Sequence, residues 1–137
     1  MAVTTQEFNH FKDVCLDDLD WNTTELKIAL IEDTYAIDLT DTLITDLTTS
    51  HECSGAGYTA GGKVLAGLTI TNGQVTVNPV TWTGLTSNVR YVALYANGTV
   101  HGLSSPVLLL YDLGSTLNLA AVDWTFSWTG NVLYELT

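Results

Sequence analysis

The stretch Gly55-Ala56-Gly57-Tyr58-Thr59-Ala60-Gly61-Gly62 decides how the chain is read. Glycine at this density lets the backbone take positive φ and turn sharply. Tyr58 and Thr59 suit a pleated surface better than a flexible linker. The stretch therefore reads as a shaped corner feeding a sheet, with Gly57, Tyr58, Gly61 and Gly62 as its structural turn. No nucleophile, metal ligand or phosphate-cradling lysine accompanies it.

Outward from this corner the chain divides by charge. Residues 1–52 hold 12 of the 15 acidic residues and 2 of the 4 basic ones, a balance of −10; residues 53–137 hold 3 acidic and 2 basic, a balance of −1. Binding to bare nucleic acid needs clustered Lys and Arg, so that class is excluded, as are anionic membrane surfaces. At 46% hydrophobic and 14% charged, the chain has enough apolar content for a real core. One domain over 1–137 is expected, with an N-terminal helix and acidic turn over 1–22 and a β-sandwich over 23–137. The longest apolar run, Pro106–Tyr111, suits one buried strand and is too short to span a membrane. Met1–Thr5 has neither the basic region nor the apolar core of a signal peptide, which predicts synthesis in a cytoplasm. Cys15 and Cys53 are too few for a disulfide framework and read as free thiols.

On the N-terminal side, Thr4-Thr5-Gln6-Glu7 fits a capping box. Phe8, Phe11, Cys15 and Leu19 then mark one face of a helix from about Thr5 to Asp17. Asp18, Asp20 and Asn22 imitate a calcium loop, but Thr23 stands where Gly is needed and Ala29 where Glu is needed. Leu26–Ile31 reads as an interior strand with Leu26, Ile28 and Leu30 on one face. Leu39, Leu43, Ile44 and Leu47 have the spacing of a second, short helix, with Thr40 or Asp41 as cap.

Beyond the corner come short β-like runs: Lys63–Leu65, Leu68–Thr71, Gln74–Val77, Val80–Thr83, Val89–Tyr95, Pro106–Tyr111, Thr116–Ala120, Trp124–Trp128 and Val132–Leu136. Asn72-Gly73 and Asn97-Gly98 read as hairpin turns. Gly84, Gly114 and Thr129-Gly130-Asn131 read as further turns, and Pro79 as a break. In Val89–Tyr95, Tyr91, Ala93 and Tyr95 face one way, and Arg90, Val92 and Leu94 the other. The series predicts a mainly β fold, an antiparallel two-sheet sandwich of jelly-roll or immunoglobulin-like type, with the two helices added.

Candidate chemistry is sparse. His10, Cys15, His51 and Cys53 lack the paired spacing of a zinc site. No Gly-x-Ser-x-Gly elbow occurs around Ser104 and Ser105. Asp112, Asp123 and Glu135 are the only acids offered by the β region to a glycosidase-type pair. Trp82, Trp124, Trp128, Tyr91 and Tyr95 could stack on a sugar, or serve as core or interface. The residues therefore predict no enzyme, no cofactor and no metal.

Four pieces in order carry a resemblance: Asp20-Trp21-Asn22-Thr23 with Leu26–Leu30, then Gly57–Gly62 with Leu65-Ala66, then Val80–Thr86, then Arg90–Tyr95. With Leu108–Gly114 and Trp124–Trp128, they resemble small structural proteins of tailed bacteriophages. The chain departs from them at Ala96–Ser105, where the link between strands is short and lacks an acidic residue. The resemblance implies a virion component on the capsid exterior, and the expected role is that of a decoration or cement protein of the head. Its partners would be the major capsid protein and itself, as a homotrimer, with Trp82, Tyr91 and Tyr95 as interface anchors. A tail, baseplate or fibre component and a carbohydrate-binding attachment module are the alternatives.

Overall fold

A computed structural model describes residues 3–17, 19–20, 24–128, 130 and 132–135. The expectations at Asp18, Trp21–Thr23, Thr129, Asn131 and Leu136 lie outside the described residues, as does the side chain of Cys15. The fold is mainly β, antiparallel and sandwich-like, with two helices. Ten strands are described: β1 (Thr4–Glu7), β2 (Leu26–Ile31), β3 (Lys63–Val64), β4 (Thr69–Thr71), β5 (Gln74–Thr76), β6 (Val80–Ala96), β7 (Thr99–Val100), β8 (Leu103–Ser104), β9 (Val107–Phe126) and β10 (Val132–Glu135). The helices are α1 (Phe11–Asp17) and α2 (Thr45–His51).

A five-stranded sheet in the order β1-β9-β6-β2-β3 faces a three-stranded sheet in the order β10-β5-β4, and β7-β8 form a small ribbon. β2 explains why both faces of the large sheet are covered. Its residues alternate between two clusters: Leu26, Ile28 and Leu30 join one, Ala29 and Ile31 the other. A strand apolar on both faces must lie inside a layered structure. The first cluster is closed by α1 and the three-stranded sheet, through Phe11, Val14, Val75, Val77 and Leu133. The second is closed by the segment 35–47, through Tyr35, Ile44 and Leu47.

The chain from Thr4 to Glu7 is an edge strand, not the first turn of a helix. It pairs in register with Leu109–Asp112, and the ladder continues through Phe8 N–H to Leu108 C=O at 3.1 Å. Phe8 and Phe11 do not share a helical face either. Phe8 is buried with Ala29 and Ile31, whereas Phe11 is buried with Leu26, Ile28 and Leu30. The chain crosses the sheet edge between them, and the helix begins only at Phe11. Thr4–Glu7 is thus built into the large sheet, and the helix is confined to Phe11–Asp17.

α2 also starts later than its spacing suggests. Leu43 is held in a bridge to Pro106, and Ile44 N–H donates to Ser105 C=O at 2.9 Å. Asp46 accepts from the N–H groups of Thr42 and Leu43, both at 3.0 Å, so neither Thr40 nor Asp41 caps the helix.

Two expected turns are bulges. Val80–Ala96 is one strand of 17 residues and Val107–Phe126 one of 20. Their register shifts between Trp82 and Leu85, and Gly84 has φ +62° without reversing the chain. Such a bulge bends a strand and strengthens its twist. Gly114, at φ +85°, likewise sits within β9. Asn72-Gly73 does close the β4–β5 hairpin, both residues having positive φ. The second tight turn lies at His101-Gly102, between β7 and β8, and not at Asn97-Gly98.

Where the chain crosses the sheet edge, His10 is half-buried. Its Nε2 is enclosed without a hydrogen-bond partner. Burial lowers its pKa, with nearby His101 adding to the effect, against the Val107 carbonyl and Asp13, which raise it. A depressed imidazole binds fewer protons folded than unfolded, so stability must fall as pH drops below about 6.5. The melting temperature should decrease between pH 7 and pH 5, and His10→Gln should flatten that decrease.

Candidate functional site

The glycine corner is an excursion from the edge of the large sheet. Glu52 bridges Ile31, and Cys53 N–H donates to Leu30 C=O at 2.9 Å. Lys63 and Val64 rejoin β2 opposite Ile28 and Lys27. Between these contacts the chain leaves the ladder and folds over the neighbouring strand. Thr86 N–H donates to Ala56 C=O at 2.9 Å, tying the corner to β6.

The excursion deprives β2 of a partner at one point, and Tyr58 repairs it. Leu30 is fully buried, and its N–H donates to the Tyr58 hydroxyl at 3.2 Å. That hydroxyl donates in turn to Glu52 Oε2 at 2.6 Å. The same carboxylate oxygen accepts from Gly61 N–H at 2.7 Å, and Tyr95 donates its hydroxyl to Gly61 C=O at 2.5 Å. Burial pushes the Tyr58 phenol far above its usual range, and its bond to Glu52 pushes the same way. It stays a neutral donor.

Glycine is required here for space as well as for φ. Gly55, Gly57, Gly61 and Gly62 all have positive φ. A Cβ on Gly62 would run into the Ile28 carbonyl, and one on Gly55 into that of Thr86. On Gly57 it would lie 2.8 Å from the carbonyl oxygens of Thr83 and Gly84. Gly61 differs, with its nearest neighbours, Lys27 Nζ and the Tyr95 hydroxyl, at 3.4 and 3.6 Å.

The proposed anchors are core residues. Trp82, Tyr91 and Tyr95 are 1%, 7% and 4% exposed, so none can meet a partner while the domain is folded. Trp82 stacks on Trp124 at 5.6 Å in the first cluster, and Tyr91 meets Tyr35 edge to face at 6.0 Å in the second. The alternation expected for Tyr91, Ala93 and Tyr95 against Val92 and Leu94 is present, with both faces buried. Trp124, Phe126 and Trp128 meet one another in order as their spacing implies, but Phe126 and Trp128 pack on Tyr111 and Trp124 on Trp82, so they serve the core.

The other candidates are dispersed. Cys53 is buried and free, its thiol donating to Asn88 C=O at 3.2 Å; burial raises its pKa to about 11. His51 Nδ1 meets Thr34 Oγ1 at 3.0 Å. Ala29, the last position of the calcium-like pattern, is inside β2. Asp112 holds Arg90 at 2.9 Å, and that bond keeps its carboxyl below the usual range. Asp123 accepts from Gly84 N–H at 2.9 Å. Among the described residues, no group of three or more His, Cys, Asp or Glu is placed to hold a metal. None of their helices is long and apolar enough to cross a membrane.

Charge is placed unevenly. Segment 32–52, which covers one face of the large sheet, carries Glu32, Asp33, Asp38, Asp41, Asp46 and Glu52 and neither Lys nor Arg. Val64 through Val89 contain no charged residue and no histidine. That run builds β4, β5 and half of β6, and β5 and β6 pack into the cluster on the opposite face through Val75, Val80, Trp82, Leu85 and Val89. No family model, curated protein or solved structure matches the chain.

Two outcomes follow for the corner. Tyr58→Phe leaves the Leu30 amide unsatisfied and should cost about 1–3 kcal/mol in chemical denaturation. Gly62→Ala should destabilise far more than Gly61→Ala, whose cost is confined to backbone strain of about 1 kcal/mol. Equal melting temperatures for the two glycine variants would contradict the close approach of Gly62 to β2.

Proposed function

We propose that this domain is a structural component of a tailed-bacteriophage virion, a decoration or cement protein that lies on the head exterior and stabilises it. The observation that carries the reading is the uncharged run Val64–Val89, set against segment 32–52, whose six carboxylates lie over the opposite face of the large sheet. An uncharged β surface can be buried against other subunits with little desolvation penalty. An acidic side facing a packaged genome would be repelled by it, and facing solvent it is tolerated. The resemblance to phage structural proteins supports the same role. The partner is the major capsid protein, and the work is done by buried interface, without catalysis or cofactor.

Because Trp82, Tyr91 and Tyr95 are internal, the contact surface must come from the outward residues of the uncharged run. Thr81 and Thr83 belong to it; Thr81 pairs with Thr125 across the strands at 2.7 Å. These short side chains lose little conformational entropy on burial.

The test compares particles made with and without the protein. Particles lacking it should assemble, then release DNA at lower temperature than complete ones, and added purified protein should restore them at a fixed number of copies. Particles that keep their heat resistance but fail to adsorb to cells would replace this reading with host attachment. A few copies per particle, located at one vertex, would place the protein in the tail.

A further inference from the structure

We infer that Asn72-Gly73 is a site of spontaneous covalent modification, at which the asparagine converts to aspartate and isoaspartate, and that the same dipeptide at Asn97-Gly98 is protected from it. The chain has two Asn-Gly pairs. In such a pair the backbone nitrogen of the glycine can attack the asparagine Cγ, because no side chain on the glycine shields it. Every other asparagine precedes a residue with a side chain or, at Asn78, a proline that has no N–H.

The chemistry needs only water. Gly73 N–H gives up its proton, and the nitrogen bonds to Asn72 Cγ. The Cγ–Nδ2 bond breaks, and Nδ2 leaves as ammonia, taking up a proton. A five-membered succinimide remains. Water opens it at either carbonyl: addition at Cγ gives aspartate, and addition at the backbone carbonyl gives isoaspartate. The net change turns an amide and water into a carboxylate and ammonium, with nothing oxidised or reduced.

Ring closure requires a glycine nitrogen that is not engaged and an asparagine that can rotate about its Cα–C bond. Asn72 and Gly73 form the exposed tip of the β4–β5 hairpin. The two-residue turn pairs Thr71 with Gln74 and leaves the Gly73 N–H outside the ladder. Among the described residues, neither that N–H nor the Asn72 side chain has a hydrogen-bond partner. β4 has one neighbouring strand and no buried side chain, so the tip opens at low cost.

Asn97 is exposed too, but it is held at each point the reaction uses. Its Nδ2, the leaving group, donates to Glu25 Oε1 at 2.7 Å, and its backbone N–H donates to Glu25 C=O at 2.8 Å. Gly98 N–H donates to Ser105 Oγ at 3.3 Å, and Gly98 C=O accepts from Ser105 N–H at 2.8 Å. The Glu25 carboxylate also opposes the negative charge that the attacking nitrogen must carry. At Asn72 the product puts a carboxylate into the run Val64–Val89, which otherwise has no charge. Isoaspartate also lengthens a turn whose two-residue length sets the register of β4 on β5. The inference does not depend on the virion reading.

Incubation of the folded full chain at mildly alkaline pH, followed by peptide mass mapping, tests it. Asn72 should be converted about tenfold or more ahead of Asn97, where hydrogen bonds must break first. In urea the two sites should react at similar rates, because their local chemistry is the same. Glu25→Ala should raise the rate at Asn97 severalfold and leave that at Asn72 unchanged. Equal conversion of the two sites in the folded chain, with both reactive in urea, would overturn the proposal. So would Asn97 leading in the folded chain, and Asn97 staying inert in the Glu25→Ala variant would overturn the clamp assigned to Glu25.

Discussion

The amide of Leu30 sets the terms for the middle of this fold. It belongs to a buried strand whose neighbour departs for nine residues, from Ser54 to Gly62. An unpaired N–H at that depth would cost as much as several favourable contacts supply. The Tyr58 hydroxyl meets it, Glu52 fixes the hydroxyl, and the same carboxylate holds Gly61. Glu52 is itself positioned by its bridge to Ile31, one residue further along β2. The corner is therefore anchored by the strand it leaves, and it returns in register because both ends are held to that strand.

The corner is also where four separated pieces of the chain meet. Gly57–Gly62 packs on Val80–Thr86 through Gly57 and the Ala56 carbonyl. It meets Arg90–Tyr95 through Tyr95, and Leu26–Leu30 through the Leu30 amide. Four pieces scattered over the chain converge on one clamp. Together they form a framework, which is a matter of fold. Function must then reside in the outward residues, where pattern constrains least.

Elements whose determinants are local were legible in the sequence. The alternation of Leu26–Ile31 marked an interior strand, and Asn72-Gly73 marked a hairpin. The glycine corner was readable because positive φ at such density has few other uses. What could not be read depended on distant partners. Thr4–Glu7 has a plausible helical cap, but an open ladder on β9 outcompetes it. Gly84 and Gly114 have the composition of turns, yet each lies in a strand whose long partner carries it past the irregularity as a bulge. The aromatic residues misled for a similar reason. Period-two spacing placed Tyr91 and Tyr95 on one face correctly, but could not say that segment 35–47 would cover that face.

The pairing of β1 with β9 has a consequence for how the domain comes into being. Thr4 and Asp112 sit opposite each other although nearly the whole chain separates them. Contacts of such long sequence separation are slow to form, because the entropy of closing the loop is lost before any of them is gained. A ribosome delivers the first strand early and its partner late. Through most of synthesis β1 has no sheet to join, and β2 has at best the two-residue β3 beside it. The large sheet must therefore assemble late and nearly at once, when β6 and β9 emerge as a hairpin and offer one edge to β2 and the other to β1.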